Sequence, residues 1–285
     1  MPLDPDYLMA LDRPPVTQSY DWRDGVIYAL GLGYGDEPTN PGHLQFLDRE
    51  QNFRTHPGMA NVLAHDGAWL RDPLTGIDYS QIVHGEQEMI LHAPLPPQAN
   101  VSATTRIEEI VDKGSEKGGI VTSAREITDV DTSVHLATVR HTVFCRSVGG
   151  FGGTTRSACS TPNLPEGPPA GRVNIPTPNQ LALIYRLSGD LNPLHADPTV
   201  AQKAGFERPI LHGLATFGIV ARALIQELAH GMPERVKRLK GRFSAPVYPG
   251  QTIAVEWWPE SRGTALARAR VGDSVVLTSA LFEYE

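Results

Sequence analysis

Two stretches of the sequence, LHAPLPPQANV at residues 91–101 and FSAPVYPGQTI at residues 243–253, align with each other without a gap. They share one alanine and two prolines at the same places, and the flanking apolar positions match in kind. A second pair of matching segments lies upstream in the same order, at residues 27–30 and 184–187. Matched segments at similar separations indicate two copies of one structural unit. The sequence therefore predicts a duplicated fold.

The composition changes between the two copies. Residues 149–153 are Gly-Gly-Phe-Gly-Gly, and six prolines follow before residue 179. Glycine- and proline-rich segments without apolar periodicity are typical of connections between units. We therefore predict an N-terminal unit at residues 1–150, a linker at 151–178 and a C-terminal unit at 179–285.

Each copy is predicted to combine one buried helix with a run of antiparallel strands. In the second copy, apolar residues between Leu214 and Leu228 follow helical spacing and cover most sides of the helix. In the first copy, the apolar stretch from Met59 to Leu70 predicts the matching helix. A sheet that buries one face around a helix is an economical architecture, so the class is α+β. Alternation predicts the strands at 100–111, 119–127, 134–146, 252–258, 265–271 and 275–284.

The charge and composition exclude several classes of partner. The chain of 285 residues carries 25 basic and 32 acidic side chains, a formal net charge of −7, which argues against nucleic acid or an anionic membrane as partner. The N-terminus lacks the features of a secretory signal, and no apolar run approaches the roughly 20 residues that cross a bilayer. Cys145 falls on a predicted strand and Cys159 in the connection, which argues against a disulfide framework. We expect a cytoplasmic protein.

The segment from Tyr185 to Gly213 contains the side chains most suited to acid and base chemistry. Within it, GDLNPLH at residues 189–195 places Asp190 and His195 five residues apart, just before the apolar helix. An Asn-Pro step favours a turn at Asn192, so the carboxylate and the imidazole can converge on one small volume. Two such groups suit general acid and base work on a bound water. Ordinary turn chemistry uses the same residue types, so the short motif alone leaves a purely structural role open.

Together these features resemble the hot-dog fold, and residues 185–213 resemble its MaoC-like, hydratase 2 branch, the (R)-specific 2-enoyl-CoA hydratases. The resemblance rests on GDLNPLH at 189–195 followed by ERPILHG at 207–213. The first copy, with VHGEQ at 83–87, looks like the N-terminal half of the double hot-dog hydratases of peroxisomal multifunctional enzyme type 2. The resemblance covers nearly the whole chain and implies an α+β double hot-dog. Because the sequence ends in FEYE without a peroxisomal tripeptide, a stand-alone cytosolic enzyme is expected.

The resemblance implies a hydro-lyase that reversibly adds water to trans-2-enoyl-CoA to give (R)-3-hydroxyacyl-CoA. Asp190 and His195 would form the acid–base pair, and Asn192 would position the water or the pair. The backbone N–H of Gly213, at the start of the helix, would stabilise negative charge on the thioester oxygen. His212 is expected to be a structural histidine. The acyl-CoA is the substrate and no cofactor is expected, while a homodimer is expected but not required.

Coenzyme A carries phosphates, and the densest basic run of this acidic chain lies near its C-terminus. The run would bind those phosphates or form only a solvated face. No histidine or cysteine spacing indicates a zinc site, so no metal is expected. His56, His65 and His84 belong to the first copy, where roles in the core or in lining a pocket are expected. The basic run comprises Lys237, Arg238, Lys240 and Arg242.

Two other functions stay open. One is a hot-dog acyl-CoA thioesterase, in which a carboxylate activates water against the carbonyl and free thiol is released. The other is a non-catalytic acyl-CoA-binding module, which would gain nothing from burying both Asp190 and His195.

The duplication predicts that only one copy is catalytic. Carrying the alignment forward from residue 27 places Gly33, Gly35 and Pro38 where the second copy has Asp190, Asn192 and His195. The first copy therefore lacks the side chains that the chemistry needs. Its expected task is to complete the sheet and to provide a pocket for the acyl chain.

Overall fold

The computed structural model describes residues 3–146, 148–152 and 163–285. The strands in these ranges are β1 Val16–Tyr20, β2 Ile82–Leu91, β3 Ala99–Asp112, β4 Gly119–Asp129, β5 His135–Cys145, β6 Gly171–Pro176, β7 Val236–Phe243, β8 Thr252–Ser261, β9 Thr264–Val271 and β10 Ser274–Tyr284. The α-helices are α1 Pro5–Met9, α2 Trp22–Leu30, α3 Pro41–Leu44, α4 Leu181–Tyr185, α5 Pro198–Lys203 and α6 Gly213–Glu227. Short 3-10 helices lie at Pro57–Asn61, Ala68–Arg71, Pro73–Thr75, Tyr79–Gln81, Arg186–Ser188, Pro193–His195 and Pro233–Arg235. None of these helices is long and apolar enough to cross a membrane.

All of these strands belong to one antiparallel sheet, in the order β1-β3-β4-β5-β2-β7-β10-β9-β8-β6. The two halves of this order mirror each other and meet where β2 pairs with β7, with Met89 opposite Leu239. The aligned stretches at 91–101 and 243–253 occupy the same place in both halves, since each runs from the end of one strand to the start of the next. The rings of Tyr28 and Tyr185, from the other matched pair, pack 5.8 Å apart. The predicted duplication is confirmed.

Helix α6 forms the centre of the larger core. Every residue from Ala215 to Ile225 is buried, as expected for a helix that is apolar on nearly all sides. Arg222 is the charged exception. Its Nη2 donates to both carboxylate oxygens of Asp36, at 2.8 and 3.0 Å, and its Nη1 donates to the carbonyl of Leu32 at 3.1 Å. These contacts attach the helix of the second unit to a loop of the first.

The prediction of a long helix at residues 59–70 is wrong. The segment holds only the 3-10 helices Pro57–Asn61 and Ala68–Arg71. Between them Ala64 has a φ of 43°, a left-handed conformation that interrupts any right-handed helix, and Gly67 precedes the second turn. The concave side of the N-terminal half is therefore covered by short turns and loops instead of a helix like α6.

The predicted linker at 151–178 is too long. Its last part is strand β6, which pairs with β8 and places Val173 opposite Val255 and Ile175 opposite Ile253. The flanking prolines hid this short edge strand, a position that tolerates proline because one side of the strand needs no partner. Cys145 is buried as predicted, whereas Cys159 lies outside the described residues.

The apolar interior of the described part of the chain divides into two clusters. The larger contains α6 and includes Met89, Ile127 and Val139. The smaller lies under the N-terminal half and includes Trp69, Ile107, Val121 and Val143. Strand β4 passes through both, because Val121 and Ile127 face the same side of the sheet. Ser123 and Arg125 point from that face into the boundary between the clusters.

Candidate active site

The segment at residues 189–195 is shaped by two successive side-chain turns. Gly189 has a φ of 118°, a conformation that favours glycine. Asp190 Oδ1 then accepts a hydrogen bond from the backbone N–H of Asn192 at 3.1 Å. Asn192 Oδ1 accepts from the N–H of Leu194 at 3.1 Å and caps the 3-10 helix that ends at His195. The turn predicted at the Asn-Pro step is confirmed, and it brings the carboxylate and the imidazole to the same place.

His195 is held in one tautomer. Its Nδ1 lies 2.9 Å from the carbonyl oxygen of Ile210, which can only accept, so Nδ1 carries the proton in the neutral ring and Nε2 keeps its lone pair. Burial lowers the pKa of His195 below its ordinary value, and the bond to Ile210 offsets part of this shift. At neutral pH the ring is therefore neutral and Nε2 can accept a proton.

His212 contacts both members of the predicted pair. Its ring stacks on that of His195 with centroids 3.7 Å apart, and its Nε2 donates to the backbone carbonyl of Asp190 at 3.1 Å. Burial, followed by the charge of His195, lowers the pKa of His212 to about 4. A neutral ring that donates through Nε2 leaves Nδ1 as an acceptor, and this buried atom has no hydrogen-bond partner among the described residues. His212 is thus both packed and hydrogen-bonded, as expected of a structural histidine, and it links the turn at Asp190 to the start of α6.

Gly213 begins helix α6 directly after His212. The first helical hydrogen bonds come from the N–H groups of Ala215 and Thr216, both to the carbonyl of His212. The N–H of Gly213 is one of those that a helix start leaves without an intrahelical partner. A Cβ added at Gly213 would meet the ring of Phe243 at 3.4 Å, an ordinary contact, so packing within the protein does not demand glycine here. Gly213 itself is half-buried.

Phe243 lies between the Gly213 position and two histidines of the N-terminal unit, His84 and His141. The ring of His84 packs 4.5 Å from that of Phe243 and 4.2 Å from that of His141. Burial lowers the pKa of His65 and of His84 to about 4, and both pKa values feel the charge of Asp190. His84 and His141 are nevertheless only half-buried, and His65 is exposed. His84 and His141 therefore combine desolvated rings with some accessible surface.

The basic run lies on β7, in the middle of the sheet. Leu239 and Phe243 face the interior, so Arg238, Lys240 and Arg242 face the opposite side. Arg238 Nε donates to Glu88 at 2.7 Å, and Lys240 Nζ lies 3.7 Å from Glu86. Lys237 pairs with Glu285 at 3.2 Å. Arg242 is exposed and forms no ion pair with a described residue.

The structure thus turns Arg238, Lys240 and Arg242 away from the face that holds Phe243. It pairs three of the four cations with glutamates, and a phosphate role for the run stays a prediction.

Two groups of side chains in the described part of the chain have the spacing to hold a cation. Asp190, His195 and His212 offer ligand atoms within 4.8 Å of one another, as do His92, Glu126 and His135. In the first group, the bonds to Ile210 and Asp190 leave Nε2 of His195 and Nδ1 of His212 as lone-pair donors. The expectation that the protein binds no metal stays a prediction.

Comparison with known proteins agrees with this arrangement. Residues 18–147 match the MFE-2 hydratase 2 N-terminal domain, and residues 160–278 match the MaoC like domain. The 3-hydroxyacyl-thioester dehydratase Y of Mycobacterium tuberculosis is 35% identical over 298 residues, covering 100% of this chain and 99% of the relative. The chain belongs to the MaoC-like, hydratase 2 family. The enoyl-CoA hydratase ChsH3 of the same organism is 36% identical over 266 residues, covering 92% of this chain and 91% of that protein.

A solved MaoC-like dehydratase from Phytophthora capsici superposes on 99% of this MaoC-like chain and 99% of its own, with a TM-score of 0.88 and 29% identity. The α+β double hot-dog predicted from the sequence is confirmed. The prediction of an enzyme of the hydro-lyase class is also confirmed.

Proposed function

We propose that this protein reversibly hydrates trans-2-enoyl-CoA to (R)-3-hydroxyacyl-CoA, with Asp190 and His195 as its acid–base pair. The observation that carries the proposal is the fixed tautomer of His195. The hydrogen bond from Nδ1 to the carbonyl of Ile210 leaves Nε2 unprotonated. The turn at Asn192 places Asp190 next to this ring. A neutral imidazole beside a carboxylate suits proton exchange with a bound water.

In the proposed reaction, the oxygen of water bonds to C3 of the enoyl thioester while C2 gains a proton. The pair removes one proton from the water and returns one to C2, so the sum is the addition of one water molecule. Asn192 holds the turn that sets the distance between the two groups. No redox cofactor takes part, since the oxidation state of the whole molecule does not change.

Negative charge builds up on the thioester oxygen during this addition. We assign its stabilisation to the N–H of Gly213, which combines a hydrogen bond with the positive end of the α6 dipole. The absence of a side chain at this position allows the thioester to approach the backbone. Removal of one donor of this kind typically lowers turnover by about 10²–10³.

The acyl chain is proposed to pass Phe243 and to continue toward the N-terminal unit. Three observations support this path: the packing of Phe243 against the Gly213 position, its contact with His84, and the absence of a long helix at residues 59–70. The N-terminal unit would then bind substrate without performing chemistry.

The direct test is the loss of absorbance of the conjugated enoyl thioester when purified protein is mixed with trans-2-enoyl-CoA of short to long chains. Hydration removes the conjugated band without releasing thiol. Release of free coenzyme A from the same substrates would instead support the thioesterase alternative. Binding of acyl-CoA without either change would support the non-catalytic alternative and contradict the proposal.

A further inference from the structure

A layer of polar side chains crosses the interior face of the N-terminal half, between its two apolar clusters. The pairing of the strands places these side chains next to one another. Ser123 of β4 lies opposite His141 of β5, and His141 lies opposite Gln87 of β2. Neighbours above and below this layer, such as Ile127 and Val121, belong to the apolar clusters. A polar layer inside an otherwise apolar interior costs free energy unless its groups have partners.

Arg125 is the charged member of this layer. It is 6% exposed, and its Nη2 donates to the carbonyls of Ala60 and Asn61 at 3.1 and 2.7 Å. Its Nε is buried without a hydrogen-bond partner. No described carboxylate forms an ion pair with Arg125, and the nearby Asp66 is already paired with Arg13. Buried arginines are ordinarily paired, so this unpaired guanidinium is unusual.

The layer is continuous with the proposed active site. Ring contacts lead from the Gly213 position to Phe243, then to His84 and His141, and the charge of Arg125 acts on His141 and on His65. His84 and His141 are half-buried and keep some accessible surface. Burial lowers the pKa of Arg125 only to about 10, so its guanidinium is charged at neutral pH, while the neighbouring histidines are neutral.

We propose that this layer binds a carboxylate carried by the acyl chain of the substrate, so that the protein prefers thioesters of chains bearing a second, free carboxyl group. Arg125 supplies the positive charge, and the neutral rings of His84 and His141 line the path from the thioester to it. A carboxylate is favoured over a hydroxyl because a buried cation without an ion-pair partner among the described residues gains most from an anion. The inference rests on the proposed function, whose substrate class it narrows.

Binding of saturated thioesters tests the inference without turnover. Calorimetry would compare the mono-CoA thioester of a dicarboxylic acid with the methyl-ended acyl-CoA of equal length, over medium to long chains. At the length that reaches Arg125, the carboxylate should bind roughly tenfold to hundredfold more tightly, the range of a hydrogen bond to a charged group. Arg125→Met should abolish this difference. The matched control Arg106→Met, an exposed arginine on the neighbouring strand β3, should preserve it.

A comparison of ligands on the wild-type protein tests the inference even if Arg125→Met does not fold. The methyl ester of the same dicarboxylic chain should lose the preference on wild-type protein. Equal binding of acid, ester and methyl-ended chain at every length would overturn the inference, as would a preference that survives in folded Arg125→Met. If unsubstituted enoyl-CoA is hydrated but no carboxylate preference exists, only this inference fails. If no enoyl thioester is hydrated, the proposed function fails.

Discussion

Asp190 and His195 can each be replaced by a residue that keeps a polar group in the segment at residues 189–195. Asp190→Asn keeps an oxygen that can accept from the N–H of Asn192, and His195→Gln keeps a polar group of similar reach. Each change should lower kcat by roughly 10²–10⁴, the range for a positioned proton-transfer group. Asp197→Asn is the matched control, since Asp197 caps α5 through its side chain and is exposed. Steady-state hydration assays check this, and near-normal activity in a folded Asp190 or His195 variant would contradict the mechanism.

His56 offers a test of how buried histidines affect stability. It is 1% exposed, and burial lowers its pKa to about 3. Between pH 6.5 and about 4, the unfolded chain therefore binds a proton at this residue and the folded chain does not. The free energy of unfolding therefore falls as the pH falls through this window, by about 1.4 kcal/mol per pH unit for each such group. His56→Asn keeps an acceptor for the N–H of Gly58 and should reduce the slope by about one group. Denaturant titrations at several pH values measure it, and an unchanged slope would contradict the assignment.

Among the secondary-structure elements, strand β7 permits a clear test of the predicted CoA contacts. Arg242 is the exposed cation of this strand and forms no ion pair with a described residue. If Arg242 contacts a phosphate of CoA, Arg242→Glu should raise KM for acyl-CoA with little change in kcat. Such a contact persists through the reaction, so its loss weakens substrate and transition state equally. Arg262→Glu, in the exposed turn between β8 and β9, makes the same charge change elsewhere. Unchanged constants for Arg242→Glu at low salt would show that the basic run is only a solvated face.

Helix α6 and the long strands could be predicted from the sequence because their periodicity is uninterrupted and their ends are marked by glycine or charged turns. The segment at residues 59–70 has comparable apolar content, but Pro57, Gly58 and the left-handed Ala64 make it a series of turns. Strand β6 was missed because edge strands need no continuous apolar pattern. In the candidate site, the short spacing between Asp190 and His195 was enough to predict that their side chains converge. The role of Arg125 depends on pairing between distant strands, which no local pattern encodes.

The whole molecule is predicted to bind one substrate per chain. The first unit has Gly33, Gly35 and Pro38 where the second carries its reactive groups, so only one complete site is expected. Titration with a tight, unreactive acyl-CoA analogue should saturate at one equivalent per chain. Two equivalents of equal affinity would contradict this, as would full activity from a soluble fragment beginning near Asn174. A homodimer and a cytoplasmic location stay predictions that sedimentation and fractionation would test.

The two halves that meet where β2 pairs with β7 are different stretches of one sequence. Each half can therefore change in evolution without the same change in the other. In an assembly of two identical units every substitution appears twice, so a residue that suits one half must also be tolerated in the other. Strand β9 occupies the place in the second half that β4 has in the first, and there Ala267 and Ala269 are fully buried in the cluster that contains α6. An arginine at such a position would displace the helix. Fusion of the halves removes this conflict, so one concavity can keep its helix and catalysis while the other becomes free to acquire new substrate preferences.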